Sequence, residues 1–382
     1  MVGPMIVFRT DASLVIGTGH VMRCLTLADA LGQRGAHSHF ICRSHDGHLI
    51  EHIRARGHQA TALPVTDSAS TAATTDNSTA HAHWLGADWV SDARETLMAL
   101  QGQRADWLVV DHYALDARWE QHLRQACQQL LVIDDLADRP HDCELLLDQN
   151  LGRLASDYGR WVPVSCTVLA GPQHALLRPE FADWRLPSMA RRSTPRLRHL
   201  LITLGGVDKD NATSQLLQAL RCCPLPNECK ITVVMGPHAP WLCDVLAQVA
   251  QMPWPTEVLV DVNNMAELMA QSDLAIGAAG STNWERCCLG LPCLLMVLAD
   301  NQRSSALALE QANAVQVLAL ASLAVSLPAQ IRQLASGETL ETLSNAAQAI
   351  TSGDGAPLLA QRMLTTCDSF IAGAQTIAGE TC

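Results

Sequence analysis

The sequence predicts an α/β chain built as two Rossmann-like, doubly wound parallel-sheet domains facing a cleft. Three observations predict it. Short β-branched apolar runs alternate with longer helix-periodic stretches, the signature of a parallel sheet with crossover helices. The alternation pauses at a Pro-, Arg- and Ser-rich stretch near the midpoint and then begins again. The length, 382 residues at 48% hydrophobic and 17% charged, suits two ordinary domains with substantial cores and excludes wholesale disorder.

In the first half, Met5–Phe8, His39–Cys42, Trp107–Asp111 and Leu130–Asp134 read as strands. Between the first two, Val21, Cys24, Leu25, Ala28 and Leu31 follow helical spacing and Gly35 stops the run. From Leu63 to Ala82 the chain turns to Thr, Ala, Ser and Asp without periodicity. This segment, 63–82, is expected to be a mobile surface insertion, with a lid as the alternative. Gly171–Pro172 and then Leu186 to Pro195 mark the change of domain. The expected division is 1–185 and 186–382, with the last helix packing back on the first domain.

The second half repeats the alternation. Strands are expected at His199–Leu204, Lys230–Met235, Glu257–Val260, Leu274–Ile276 and Cys293–Val297. Helices are expected at Asn211–Cys222, Trp241–Ala250, Ala266–Ala270 and Thr282–Leu289. In open parallel sheets, ligands bind outside the carboxyl ends of the strands.

A net charge of -12 argues against a general nucleic-acid or anionic-membrane surface. No run of 18 apolar residues is present, and the start lacks a signal peptide's pattern, so a cytoplasmic protein is expected. The fourteen cysteines include no Cys-x-x-Cys, and Cys222–Cys223 and Cys287–Cys288 are poorly spaced for disulfides. They read as small buried hydrophobes in a reducing compartment. Two His-x-His pairs, His37/His39 and His81/His83, have no cysteine or carboxylate cluster of metal spacing beside them, so no metal is expected. Nothing points to an obligate protein partner.

Three segments carry candidate chemistry. The first is Arg9-Thr-Asp11, a loop with Gly17 and Gly19, and then His20 and Arg23 at the opening of a helix. The positive end of the helix dipole disfavours imidazolium, and a general base must be uncharged. Arg23 shares a helix face with His20, and Arg9 and Asp11 are expected to point to the same opening. Two other readings stay open: a dinucleotide-binding glycine turn, which lacks its third glycine here, and a structural histidine at a cap. The second segment is Gly280-Ser281-Thr282 with Glu285. Its amides suit a pyrophosphate and its carboxylate suits ribose hydroxyls, while Thr282 and Glu285 also fit a capping box. The third is Gly205-Gly206 at a strand end, fit for close approach to phosphate. Asp111-His112-Tyr113 and Asp134-Asp135 end strands of the first domain. Arg178 is placed either to meet a phosphate or to pair with Glu180.

These residues resemble a known family. Arg9-x-Asp-x-Ser with Gly17-Thr-Gly-His20-Val-Met-Arg23, Asp111-His-Tyr113, Ile133-Asp-Asp-Leu-Ala-Asp-Arg139, Leu147-Asp-Gln-Asn150, Leu177-Arg178-Pro-Glu-Phe181, Gly280-Ser-Thr-x-Trp-Glu285 and Asn301-Gln302 look like the UDP-2,4-diacetamido-2,4,6-trideoxy-β-L-altropyranose hydrolases of pseudaminic acid biosynthesis. The likeness keeps its order along nearly the whole chain; the insertion after Leu63 is the main departure. It implies a glycosyltransferase-B-like fold, similar to the GlcNAc transferase that makes lipid-linked peptidoglycan precursor. It implies hydrolysis of the sugar C1–oxygen bond with inversion, releasing UDP and the free diacetamido sugar, in a pathway that feeds flagellin glycosylation. It implies His20 as the catalytic residue and no cofactor. Substrate contacts are expected from Arg9, Asp11, Gly19, Arg23, Tyr113, Arg178, Gly205, Gly206, Gly280, Ser281, Thr282, Glu285 and Asn301. The rival readings are a UDP-sugar glycosyltransferase of the same fold and a non-catalytic nucleotide-sugar-binding protein.

Overall fold

The computed structural model describes residues 3–66, 79–237 and 239–379, with side chains through 367 apart from that of Asn301. The greater part of the expected insertion, 67–78, lies outside the described residues. The chain divides into two units, Met1–Leu176 with Gly355–Cys382, and Leu177–Asp354.

The first unit carries strands β1 (Met5–Thr10), β2 (His37–Arg43), β3 (Gln59–Leu63), β4 (Ala105–Asp111), β5 (Cys127–Ile133), β6 (Leu145–Asp148) and β7 (Thr167–Ala170). They form one parallel sheet in the order β3-β2-β1-β4-β5-β6-β7. Helices α1 (Gly19–Gly32), α2 (Ile50–Ala55), α3 (Trp89–Leu100) and α4 (Ala117–Leu123) connect its strands. Every second residue of a strand faces the same side, so β1 sends Ile6 and Phe8 to one core and Val7 to the other. The first core takes Val21, Cys24, Leu25, Ala28 and Leu31 of α1, the run that the spacing marks out. The second takes Ala93 of α3 and Trp119 and Leu123 of α4.

The second unit opens with α5 (Pro179–Arg192). The expected boundary at 185/186 falls inside this helix, and the passage between units is at Leu176–Leu177. Strands β8 (His199–Thr203), β9 (Lys230–Met235), β10 (Thr256–Val260), β11 (Leu274–Ala278), β12 (Cys293–Met296) and β13 (Gln316–Leu318) form the second parallel sheet, ordered β10-β9-β8-β11-β12-β13. Around it lie α6 (Ala212–Leu220), α7 (Leu242–Val249), α8 (Met265–Gln271), α9 (Thr282–Cys288), α10 (Arg303–Gln311), α11 (Leu323–Leu334) and α12 (Glu338–Gln348). Leu216, Leu217 and Leu220 of α6 and Leu327, Ile331 and Leu334 of α11 share its core.

The last helix, α13 (Gly355–Gly379), belongs to the first unit. Leu359, Ala360 and Met363 enter the α1 core, and Trp107 Nε1 donates to the Met363 carbonyl at 3.1 Å. Each sheet reverses its strand order once, between β1 and β4 and between β8 and β11. Such switch points leave a crevice at the strand carboxyl ends. Among the described residues, no helix is long and apolar enough to cross a membrane.

Candidate active site

The switch point of the first sheet gathers one coupled set of polar side chains. His20 stands in the first turn of α1, behind the loop that Gly17 turns at φ +83°. Its Nδ1 lies 2.6 Å from Asp111 Oδ1 at the end of β4. Arg23, one turn on, donates to the same carboxylate through Nε at 2.6 Å and Nη2 at 2.7 Å. Burial alone would raise the Asp111 carboxyl, but Arg23 and then His20 outweigh it and hold the group far below the ordinary carboxylate range. An ionised carboxylate only accepts, so Nδ1 carries the ring proton. Arg23 Nη2 also lies 3.3 Å from Nδ1, but that nitrogen is already committed to Asp111 and to Asp135 at 2.8 Å. His20 Nε2 makes no hydrogen bond among the described residues.

Tyr113 closes the side of the site. Its ring meets His20 edge-on at 4.7 Å, and its hydroxyl donates to Asp135 at 2.6 Å. Burial, then the charge of Asp135, keeps the phenol protonated well above its usual range. Asn150 Nδ2 donates to Asp135 and Asp148, both at 2.9 Å. Burial, then the like charge of Asp135, pushes the Asp148 carboxyl up to about 6.

Arg9 and Asp11, expected at the opening, are instead fully buried beneath it. Arg9 donates to Asp11 at 2.7 Å and, through Nη2 and Nε, to Asp92 at 2.6 and 3.1 Å. Arg43 and Trp119 complete the shell of Asp92, and Asp11 also accepts the Arg43 amide at 2.6 Å. Two buried arginines need carboxylate partners, and Asp11, Asp92 and Glu95 supply them, although Arg43 Nε keeps no hydrogen-bond partner among the described residues. The pair therefore braces the ends of β1 and β2 and does not reach the opening. Arg23 is likewise held by Asp111 and Asp135, with little exposure of its own. Asp92 was invisible in the sequence because α3 brings it in from far along the chain.

The second unit places its own candidates at the β8/β11 switch point. Gly205 and Gly206 follow β8, and Gly280 and Ser281 follow β11. Gly205 needs its glycine for φ +96°, but Gly206 and Gly280 have no such angle. An added Cβ at either meets nothing within 4 Å, so neither backbone angle nor packing among the described residues demands glycine there. Asp208 anchors the first loop by accepting the amides of Ala212 and Thr213 at 2.9 and 3.0 Å. Ser281 is the N-terminal cap of α9 without a side-chain bond, so the capping box expected of Thr282 and Glu285 does not form. Glu285 is half-buried; burial raises its carboxyl, and Arg178 opposes the rise. Arg178 itself pairs with Glu180 at 2.9 Å and lies over Phe181. Asn301 falls in the short turn Asp300–Gln302, its side chain outside the described part.

Comparison with known proteins sets this geometry in context. Residues 199–363 match the glycosyltransferase family 28 C-terminal domain. The UDP-2,4-diacetamido-2,4,6-trideoxy-β-L-altropyranose hydrolase of Campylobacter jejuni subsp. jejuni serotype O:2 is 26% identical over 302 residues, 79% of this chain and 94% of that protein. The resemblance read from the motifs is thus to a protein that this chain matches over most of its length. An uncharacterised protein of Methanocaldococcus jannaschii is 22% identical over 299 residues, 77% of this chain but 56% of that one, so the chain spans little more than half its length. Among solved structures, MurG of Acinetobacter baumannii superposes with a TM-score of 0.66 at 14% identity, covering 95% of this chain and 99% of its own. The fold is that of the glycosyltransferase-B proteins, with two Rossmann-like parallel-sheet units.

Proposed function

We propose that this chain hydrolyses UDP-2,4-diacetamido-2,4,6-trideoxy-β-L-altropyranose to UDP and the free sugar, in the cytoplasm, as a step of pseudaminic acid biosynthesis. The observation that carries the reading is the His20–Asp111 pair at the β1/β4 switch point, with Nε2 making no hydrogen bond among the described residues. His20 takes a proton from water through Nε2 as the water oxygen bonds to C1. The C1–oxygen bond breaks, UDP leaves with the electron pair, and the configuration at C1 inverts. Asp111 holds the ring's tautomer and offsets the imidazolium charge as it forms, and Arg23 keeps Asp111 ionised and in place.

In the second unit, the bare amides of Gly205–Gly206 and Gly280–Thr282 donate to the diphosphate oxygens, and Glu285 accepts from ribose hydroxyls. The reading is supported by the two glycines, Gly206 and Gly280, that neither backbone angle nor packing among the described residues demands. Tyr113 and Arg23 line the sugar's side, Arg178 neutralises charge near Glu285, and Asn301 contributes from its turn. The mechanism calls on no metal or cofactor.

The match of residues 199–363 to a glycosyltransferase domain favours one second reading, transfer of the sugar to an acceptor. Acceptor-free incubation with the diacetamido UDP-sugar separates the two. Steady UDP release, with the inverted anomer first in the NMR spectrum, supports hydrolysis. No release without an acceptor, with release restored by one, overturns it.

A further inference from the structure

Beside His20 stands a cluster of rings of which the proposed function uses Tyr113 alone. Trp84 lies nearly parallel to Tyr113, 5.7 Å away and tilted by 26°. His81 packs on Trp84 at 4.5 Å and on Tyr113 at 5.4 Å. Tyr113 in turn meets His20 at 4.7 Å, so four rings touch in series and end at the candidate base. The chain holds nine Trp, four Phe and two Tyr, which makes such a gathering at one strand end unusual for it. The rings lie outside both apolar cores of the first unit. Trp84 and His81 are half-buried. Burial keeps the His81 imidazole below its ordinary range, consistent with an uncharged ring in this stack. The orientation is fixed from behind: Asp135 holds the Tyr113 hydroxyl at 2.6 Å, and the Arg139 guanidinium lies 5.9 Å from the Tyr113 ring centre.

We infer that Trp84, with His81 and Tyr113, forms an aromatic wall that takes the aliphatic edge of the sugar, its acylamino methyls and its deoxygenated C6 methyl. The inference rests on the proposed hydrolase reading for the identity of that sugar. Flat rings favour C–H groups over hydroxyls, because their faces are weakly negative and offer hydroxyls little in exchange for water. A sugar that has traded hydroxyls for methyl and acetamido groups suits such a wall; a fully hydroxylated one does not. Trp84 is then a specificity residue, and His20 and Asp111 are indifferent to it.

The test uses the whole chain with Trp84→Leu and Trp84→Phe. Saturation-transfer NMR with the free 2,4-diacetamido-2,4,6-trideoxy-L-altrose reads the contact directly, with UDP as the control ligand. Methyl signals should be strong with the wild type and Trp84→Phe and weak with Trp84→Leu, while UDP affinity stays the same in all three. In turnover, Trp84→Leu should raise KM roughly three- to tenfold and leave kcat near wild type, the scale of one lost aromatic contact. His81→Ala carries the same expectation if circular dichroism shows Trp84→Leu unfolded. No methyl transfer to the wild type, or equal transfer to a folded Trp84→Leu, overturns the wall. Absent UDP release with methyl transfer that still depends on Trp84 overturns the hydrolase reading alone.

Discussion

At the scale of single residues, the chemistry turns on one proton's position. Asp111 fixes it on Nδ1 of His20. His20→Ala should leave UDP affinity intact and lower turnover by roughly 10²–10⁴-fold, the usual share of a general base. Asp111→Asn should lower turnover comparably, because an amide can present a donor to Nδ1 and move the proton to Nε2. It also leaves Arg23 short of a buried partner, a cost of about 3–5 kcal/mol that urea unfolding will read. Turnover within a few-fold of wild type in both variants makes His20 structural. Glu285→Ala should weaken UDP binding in calorimetry while thermal unfolding stays put; unchanged affinity removes Glu285 from the ribose. The sequence pointed to His20, Arg23, Asp111 and Tyr113 because they sit where a strand or loop hands over to the next element. It misplaced Arg9 and Asp11, since a strand's last residues can face the opening or the space beneath it. Only Asp92 and Arg43, brought in from other elements, settle which.

At the scale of elements, strand and helix periodicity located most of the core. β9 coincides with the expected Lys230–Met235, and α9 ends one residue short of the expected Leu289. Strands β3, β6, β7 and β13 were not read from the sequence; each is short, and a short run displays little alternation. Helix α5 was read as linker because Pro187 lies inside it among Arg and Ser. Tertiary bonds override that composition. Arg185 donates to the carbonyls of Gln348, Thr351 and Cys288, and Ser188 to that of Leu289. Helix α13 is secured in a similar manner, by Met363 in the α1 core. Met363→Ala should cost about 2–5 kcal/mol in urea unfolding, the range for large-to-small changes in a packed core. A loss under about 1 kcal/mol denies α13 its structural part.

At the scale of the whole molecule, acid is the expected weakness. Asp11, Asp92 and Asp111 are buried, yet their arginine partners hold all three carboxyls below the ordinary range. Their native proton affinity is lower than in the unfolded chain, where it lies near 3.9. Their contribution is therefore complete above that value and declines as pH falls below it. Melting temperature should drop steeply between about pH 4 and pH 2; a flat profile there refutes the ion-pair account. The same argument puts the loss in the first unit, where all three reside. That unit is also written in two pieces of chain, with the other unit lying wholly between them. On the ribosome, the helix that covers α1 emerges only after the whole of the other unit. The nascent first half must wait, its apolar flank uncovered, while a later-made neighbour can already be complete. Translation order and structural order thus run against each other, and a chaperone has its longest opportunity at the end of the chain that was made first.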